Sequence, residues 1–152
     1  MWFELDASGI KIKLRIKGYR PSTKKNWDST WCSCYFLFSS GHWLNYHRED
    51  DEILLSCEVE ELEEALTKLL NGELVTEKEV STLEPDFRFF LHPVLKEKQT
   101  MNGQPWYDIE GMYLEWKVYF WDDGLTDNHL TVVLDKQEIV QLREYFRKIM
   151  NK

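Results

Sequence analysis

The side chains whose chemistry stands out most are acidic, and they lie close together in the sequence. Between Glu49 and Glu64 there are nine Asp or Glu residues and no Lys or Arg. The whole chain has 27 acids and 19 bases, so the acids and bases outside this segment nearly balance. The net charge of -8 therefore originates almost entirely in one short stretch. Such a stretch either faces only water or forms a surface for a basic partner.

Residue combinations typical of catalysis or metal binding are scarce. Cys32 and Cys34 lie two residues apart, which on a strand places both thiols on one face, so we expect buried structural cysteines without a metal. The four histidines show no ligand spacing, and no phosphate-binding glycine loop, nucleophile elbow or His-Glu metalloprotease motif occurs. Asp122, Asp123 and His129 are better explained by a turn than by an acid-base site. We therefore expect neither catalysis nor a cofactor.

The apolar pattern predicts several strands followed by a helix, twice. Alternation from Ile10 to Ile16 is typical of a half-buried strand whose other face is basic, and we expect that face to solubilise the sheet, with a binding role as the alternative. Helices are predicted at residues 58–71 and 136–150, the second with a capping box. The further predicted strands are 31–38, 43–46, 53–55, 87–91, 113–120 and 129–134.

These elements predict one α+β domain spanning residues 1–152, with a largely antiparallel meander and two amphipathic helices packed on it. The helix periodicity predicts that Leu62, Leu66, Leu142 and Phe146 are buried. Residues 96–111 lack a clear period and are predicted to be the longest irregular connection. Trp106 and Tyr107 lie at the tip of this connection.

Composition also restricts the compartment and the partners. The chain has no apolar run long enough for a membrane helix and no leader-like opening, and its three cysteines are too few and odd in number for a disulfide framework. We therefore expect a cytoplasmic protein. A pI near 5.0 disfavours direct contact with nucleic acid or an anionic membrane. We expect a monomer or a weak homo-oligomer.

Several segments together resemble the WapI-type immunity proteins, bacterial cytoplasmic antidotes to the toxic C-terminal domains of WapA and related polymorphic toxins. The resemblance covers most of the chain. It rests on "NWDSTW" after the first strand pair, on "LLSCEVEELEEALTKLLNG" as a strand followed by an acidic helix, on "TLEPDFRF" as a Glu-Pro strand entry, and on the closing amphipathic helix. The resemblance implies inhibition by stoichiometric binding to a toxin, commonly a nuclease that acts on transfer RNA.

The leading hypothesis is therefore an immunity protein that binds a basic toxin domain through an acidic surface. The predicted contact residues are Glu49, Asp50, Asp51, Glu52, Glu60, Glu61, Glu64, Trp106 and Tyr107. One alternative is a small β-rich enzyme or ligand-binding protein whose pocket is lined by Trp106, Tyr113, Tyr119 and Trp121. A regulatory adaptor for another basic protein is the third possibility, and a merely solvated helix face would also account for the acids on the first helix.

Overall fold

The computed structural model describes residues 1–22, 30–99 and 102–152, apart from the side chains of Asp50 and Gln99. The described residues form two consecutive halves, each with four strands followed by a helix. The first half comprises β1 (Phe3–Ala7), β2 (Ile10–Lys17), β3 (Trp31–Ser40), β4 (Leu44–Leu55) and α1 (Ser56–Leu70). The second comprises β5 (Lys78–Ser81), β6 (Phe87–Gln99), β7 (Pro105–Trp121), β8 (Leu125–Leu134) and α2 (Lys136–Ile149).

Each half contributes one antiparallel sheet whose strands lie in chain order, β1-β2-β3-β4 and β5-β6-β7-β8. The α+β class, the meander and both helices are therefore confirmed, and α1 begins two residues earlier than predicted. "NWDSTW" lies mostly outside the described residues.

A single aromatic and aliphatic core joins the two halves. Phe36 of the first sheet contacts Phe87 of the second at a ring-centroid distance of 5.0 Å, and Phe38 meets Trp116 edge to face at 5.3 Å. Each helix buries its apolar stripe against this core, which confirms the periodicity argument. The four helix residues predicted to be buried are Leu62, Leu66, Leu142 and Phe146, and each is at most 1% exposed.

Hydrogen bonds at both helix N-termini explain where the helices begin. At α2, the Asp135 carboxylate accepts from the Glu138 amide at 2.9 Å, and the Glu138 carboxylate accepts from the Asp135 amide at 3.0 Å, which confirms the predicted capping box. At α1, the Glu58 carboxylate accepts from the Leu55 amide at 2.8 Å. Each carboxylate thus satisfies an amide that the helix itself leaves without a partner.

A hydroxyl on α2 fastens the second half of the chain to the first. Tyr145, which is 4% exposed, accepts a hydrogen bond from the Ile16 amide at 3.0 Å and donates one to the Met1 carbonyl at 3.1 Å. The two helices are also joined directly, because Glu63 of α1 lies 3.1 Å from Lys152, just beyond α2, and 3.8 Å from Arg147. The two halves therefore share one interior.

Two strand predictions were wrong. Residues 44–55 form one long edge strand, β4, rather than two short ones, because a bulge opposite β3 accommodates the acidic residues between the apolar ends. Residues 96–111 do not form an irregular loop, because β6 and β7 continue as a paired hairpin as far as Gln99 and Pro105. We call residues 92–99 and 105–112 the hairpin arm. The strands β1 and β5 were not predicted individually.

Candidate protein-interaction site

The acidic segment does not form a single surface, because a strand-to-helix junction divides it. Glu49 to Glu52 lie on β4, and the acids from Glu58 onward lie on α1. Glu49 borders a groove on the outward face of the first sheet, whereas Glu60 and Glu64 border a separate cleft between the two helices. The predicted contact residues are therefore distributed over two faces.

Three of the carboxylates on α1 hold the fold together. Glu58 is 7% exposed and accepts from the Leu83 amide at 2.6 Å, in addition to its bond at the helix N-terminus. Burial is the main cause of the raised pKa of Glu58, which the two backbone amides partly oppose. Glu63 is 4% exposed and joins α1 to the C-terminal residues. Glu60 accepts from the Tyr19 hydroxyl at 2.7 Å and from the Ser22 amide at 3.0 Å, which fixes the chain after β2.

The remaining two acids of α1, Glu61 and Glu64, are partly exposed on its solvent side. Glu64 forms an i,i+4 pair with Lys68 at 3.4 Å, and both side chains are 46% exposed, so this pair contributes little to stability. Glu61 and Glu64 thus offer charge at the surface from a helix that other carboxylates hold in place.

An open cleft of about 540 Å³ separates the outward faces of α1 and α2 near their C-terminal ends. Glu73, in the turn after α1, adds an exposed acid to its rim, and the lining bases are Lys68, Arg147 and Lys152. Glu63 lies against Lys152 and Arg147, and Glu64 lies against Lys68. The α1 side of the cleft thus carries four carboxylates and one base, Lys68.

The acids of β4 lie in a different chemical environment. Glu49 shares its groove with the outward-facing bases of β2, and Glu52 lies opposite Ser33 of β3 on the same face. Asp51 is turned toward Arg48, with 2.7 Å between its carboxylate and the guanidinium Nε. The side chain of Asp50 is outside the described part of the chain.

A buried carboxylate that the sequence did not reveal as important links the two sheets. Asp86, 1% exposed, accepts hydrogen bonds from Arg48 of β4 and from the Trp121 indole of β7, the latter at 2.7 Å. The Arg48 guanidinium also lies 4.6 Å from the centre of the Trp121 ring. Burial raises the pKa of Asp86 although Arg48 opposes the shift. The "TLEPDFRF" segment thus supplies structural contacts through Leu83 and Asp86. Its Pro-Asp pair, which is typical of a turn, is the feature of the sequence that could have indicated them.

The hairpin arm places Trp106 and Tyr107 on opposite faces of a two-stranded ribbon, because they are consecutive strand residues. Tyr107 is 61% exposed, and Trp106 packs against Lys98, whose Nζ lies 5.5 Å from the ring centre. The middle of the arm touches the turn after α1, since a Cβ at Gly72 would lie only 3.2 Å from Ile109 Cδ1. The arm therefore passes beside the C-terminal end of the acidic helix.

The aromatic residues of the alternative pocket do not come together. Tyr113 stacks on His92 at 4.4 Å, Tyr119 lies 5.0 Å from His129, and Trp121 covers Arg48. Trp106 is at the far end of β7. Each ring has a different neighbour, and none of the four lines either of the two clefts described above.

Cys32, Cys34 and Cys57 are buried and form no disulfide among the described residues, and burial was expected for Cys32 and Cys34. Burial raises the pKa of Cys34 to about 12. Within residues 1–22, 30–99 and 102–152, no cluster of three or more His, Cys, Asp or Glu side chains is arranged to hold a metal ion. No helix in this part of the chain is long and apolar enough to cross a membrane.

Open clefts, charged faces and the hairpin arm lie at the surface of this α+β fold. Residues 3–152 match the model of the immunity protein WapI-like family. The chain belongs to this family, and its membership indicates a role in immunity to a toxin. A comparison with curated proteins found no match.

Proposed function

We propose that the protein neutralises a toxin domain by stoichiometric binding, without catalysis and without a cofactor, in the cytoplasm of the bacterium that produces both. Family membership supports the immunity role. A protein that acts only by binding needs an accessible surface complementary to its partner rather than a deep polar pocket. The open clefts of this fold suit that requirement.

The toxin domain is proposed to be a basic nuclease, such as one that cleaves transfer RNA. A nuclease must hold phosphate groups, so its substrate cleft carries Lys and Arg side chains. Carboxylates on a rigid helix would meet those side chains, speed the encounter and block the cleft. We place this contact on the exposed side of α1, with the adjoining hairpin arm as a second contact region.

The assignment of the toxin contact to α1 rests on the different roles of its carboxylates. Glu58, Glu60 and Glu63 are engaged in bonds that hold the helix, whereas Glu61 and Glu64 are partly exposed at its surface, Glu64 beside Lys68. Two surface charges are thus presented on a backbone that cannot easily shift. A preorganised charged surface loses little entropy on binding, which favours tight association.

The test uses the cognate toxin domain, and it reverses the charges of the two partly exposed acids of α1. Glu61→Lys with Glu64→Lys is expected to slow association at least about tenfold at low salt, because electrostatic steering is lost. The same variant should lose protection when it is co-expressed with the toxin domain. Asp51 and Glu60 are left unchanged because each has a structural partner.

The matched control makes the same charge change on the β7–β8 hairpin, with Asp122→Lys and Asp127→Lys. It should bind at the wild-type rate and show the wild-type salt dependence. Equal rates for the α1 variant and the control would contradict the α1 assignment, and a loss of binding on Tyr107→Ala would then locate the contact on the arm. Absence of binding and protection by the wild-type protein would contradict the proposed function itself.

A further inference from the structure

The outward face of the first sheet carries two rows in which a base, a neutral residue and an acid follow one another across β2, β3 and β4. The order arises from the strand register, because residues opposite each other in an antiparallel sheet project from the same face. A bulge in β4 leaves Glu49 and Asp50 across from Tyr35, and Glu49 lines the same groove as Tyr35. The two rows are Arg15, Tyr35, Glu49 and Lys17, Ser33, Glu52.

Among the residues that the structure describes, the outer charges of these rows form no ion pair. Lys13, the preceding base of β2, is paired with Glu4 of β1 at 3.1 Å. Arg15 instead lies over the Trp2 ring, with 5.4 Å from its guanidinium carbon to the ring centre, and its buried Nε has no hydrogen-bond acceptor in the described chain. Lys17 and Glu52 are exposed and form no ion pair with any described residue.

A groove of about 390 Å³ runs along these rows. Its base and acid sides are two strand spacings apart, roughly 10 Å. A partner that satisfies both sides must present an acid and a base at the same separation and in the opposite order. A nucleic acid or a purely acidic peptide would meet the bases but would be repelled by Glu49 and Glu52.

We propose that the partner is a second copy of this chain, stacked face to face about a twofold axis parallel to β3. Such an axis preserves position along the strand and exchanges the two sides of β3. Arg15 of one copy then meets Glu49 of the other, Lys17 meets Glu52, and Tyr35 meets its own equivalent. Each contact occurs twice, which is the self-complementarity that a twofold interface requires. Twisted sheets of this kind pack face to face about 10 Å apart.

The first measurement is sedimentation equilibrium of the wild-type protein from about 1 µM to about 1 mM at low salt, the range of weak association. The chain mass is 18.3 kDa, and the average mass should rise with concentration toward twice that value. Added salt should weaken the association, because exposed charges are screened. A mass that stays at 18.3 kDa throughout would overturn the proposal.

The second measurement uses single charge reversals at the two exposed positions of one row. Lys17→Glu creates two acid-acid contacts in the dimer, and Glu52→Lys creates two base-base contacts, so each variant alone should associate at least about tenfold more weakly. Mixing the two variants should restore association, because both contacts of the mixed dimer are then attractive. Combining both changes in one chain should restore it as well.

This pattern of loss and rescue is specific to the proposed arrangement. Equal association of wild-type and single-variant proteins would show that another face is used, and failure of both rescues would exclude the twofold pairing of Lys17 with Glu52. Circular dichroism and urea unfolding of each variant check that the fold is intact. The α1 charges remain unchanged in these variants, so toxin binding can be measured separately, and failure of either proposal leaves the other testable.

Discussion

Replacing Tyr145 with Phe removes one oxygen atom and tests whether the hydroxyl joins the two halves of the chain. The ring, its burial and its packing against Phe3 at 5.7 Å are retained, so the change isolates two hydrogen bonds. The Met1 carbonyl is at the chain terminus, where water can replace the hydroxyl. The Ile16 amide is buried and would lose its partner. A buried donor without a partner costs about 1 to 3 kcal/mol.

We therefore expect Tyr145→Phe to lower the free energy of unfolding by about 2 kcal/mol, measured by urea unfolding at 25 °C. The melting temperature should fall by about 4 to 8 °C for a chain of this size. Hydrogen exchange of the Ile16 amide should accelerate more than that of its neighbours in β2. The matched control is Tyr113→Phe, whose hydroxyl makes no hydrogen bond with the described residues and which should change stability by less than about 0.5 kcal/mol. Equal stability of the two variants would refute the reasoning.

Three further predictions concern the interior. Trp116 is fully buried among three aromatic rings at 5.3 Å, but its indole Nε1 has no hydrogen-bond partner in the described chain. In urea unfolding, Trp116→Phe should therefore lower the free energy of unfolding by only about 1 to 2 kcal/mol, whereas Trp116→Ala should lower it by about 3 to 5 kcal/mol. Since the folded-state pKa of Glu58 is raised above its ordinary value, the folded state binds its proton more readily, and lowering the pH from 7 to about 5 should stabilise the wild type relative to Glu58→Gln. Because Cys34 is buried and its pKa is raised to about 12, a disulfide reagent should modify it only as fast as the protein unfolds, and the purified protein should contain no stoichiometric zinc.

A different result would contradict each of these three predictions. Equal costs for the two Trp116 variants would show that the ring contacts contribute little. A loss of wild-type stability relative to Glu58→Gln on acidification would reverse the assigned direction of the pKa shift. Zinc that is lost on Cys34→Ser would contradict the structural role of the thiol.

The sequence was most informative where a single periodicity governed an element. Both helices were predictable because burial selects one face every 3.6 residues, and the register of Leu62 and Leu66 follows directly. The long strand β4 was not predictable as one strand, because a bulge interrupts its apolar alternation and its middle residues, at the edge of the sheet, are acidic. The hairpin arm was missed because Gly103 and Pro105 are typical of loops, although Pro105 is also compatible with the end of an edge strand.

The sequence predicted a cluster of acidic residues, but not which of them are exposed at the surface. The count of acids cannot show that Glu58 and Glu63 face inward, since both are polar residues whose partners are distant in the sequence. Asp86 gave even less signal, because a Pro-Asp pair is typical of a turn and its partner Arg48 lies 38 residues earlier. Long-range polar contacts have no sequence period, and this is why the fold-holding acids could not be separated from the exposed ones.

The hairpin arm has a consequence for how the protein avoids aggregating. In the described part of the chain, β5 pairs with β6 only up to Leu91 and β8 pairs with β7 only from Leu114, so both edges of the arm are open to another strand. An open strand edge is a template for edge-to-edge pairing of sheets into fibres. Pro105 lacks the backbone amide hydrogen that such pairing needs. Lys96 and Lys98 carry positive charges that would repel one another if several copies of the arm stacked in register. The arm is thus able to project from the sheet without becoming a seed for fibre growth.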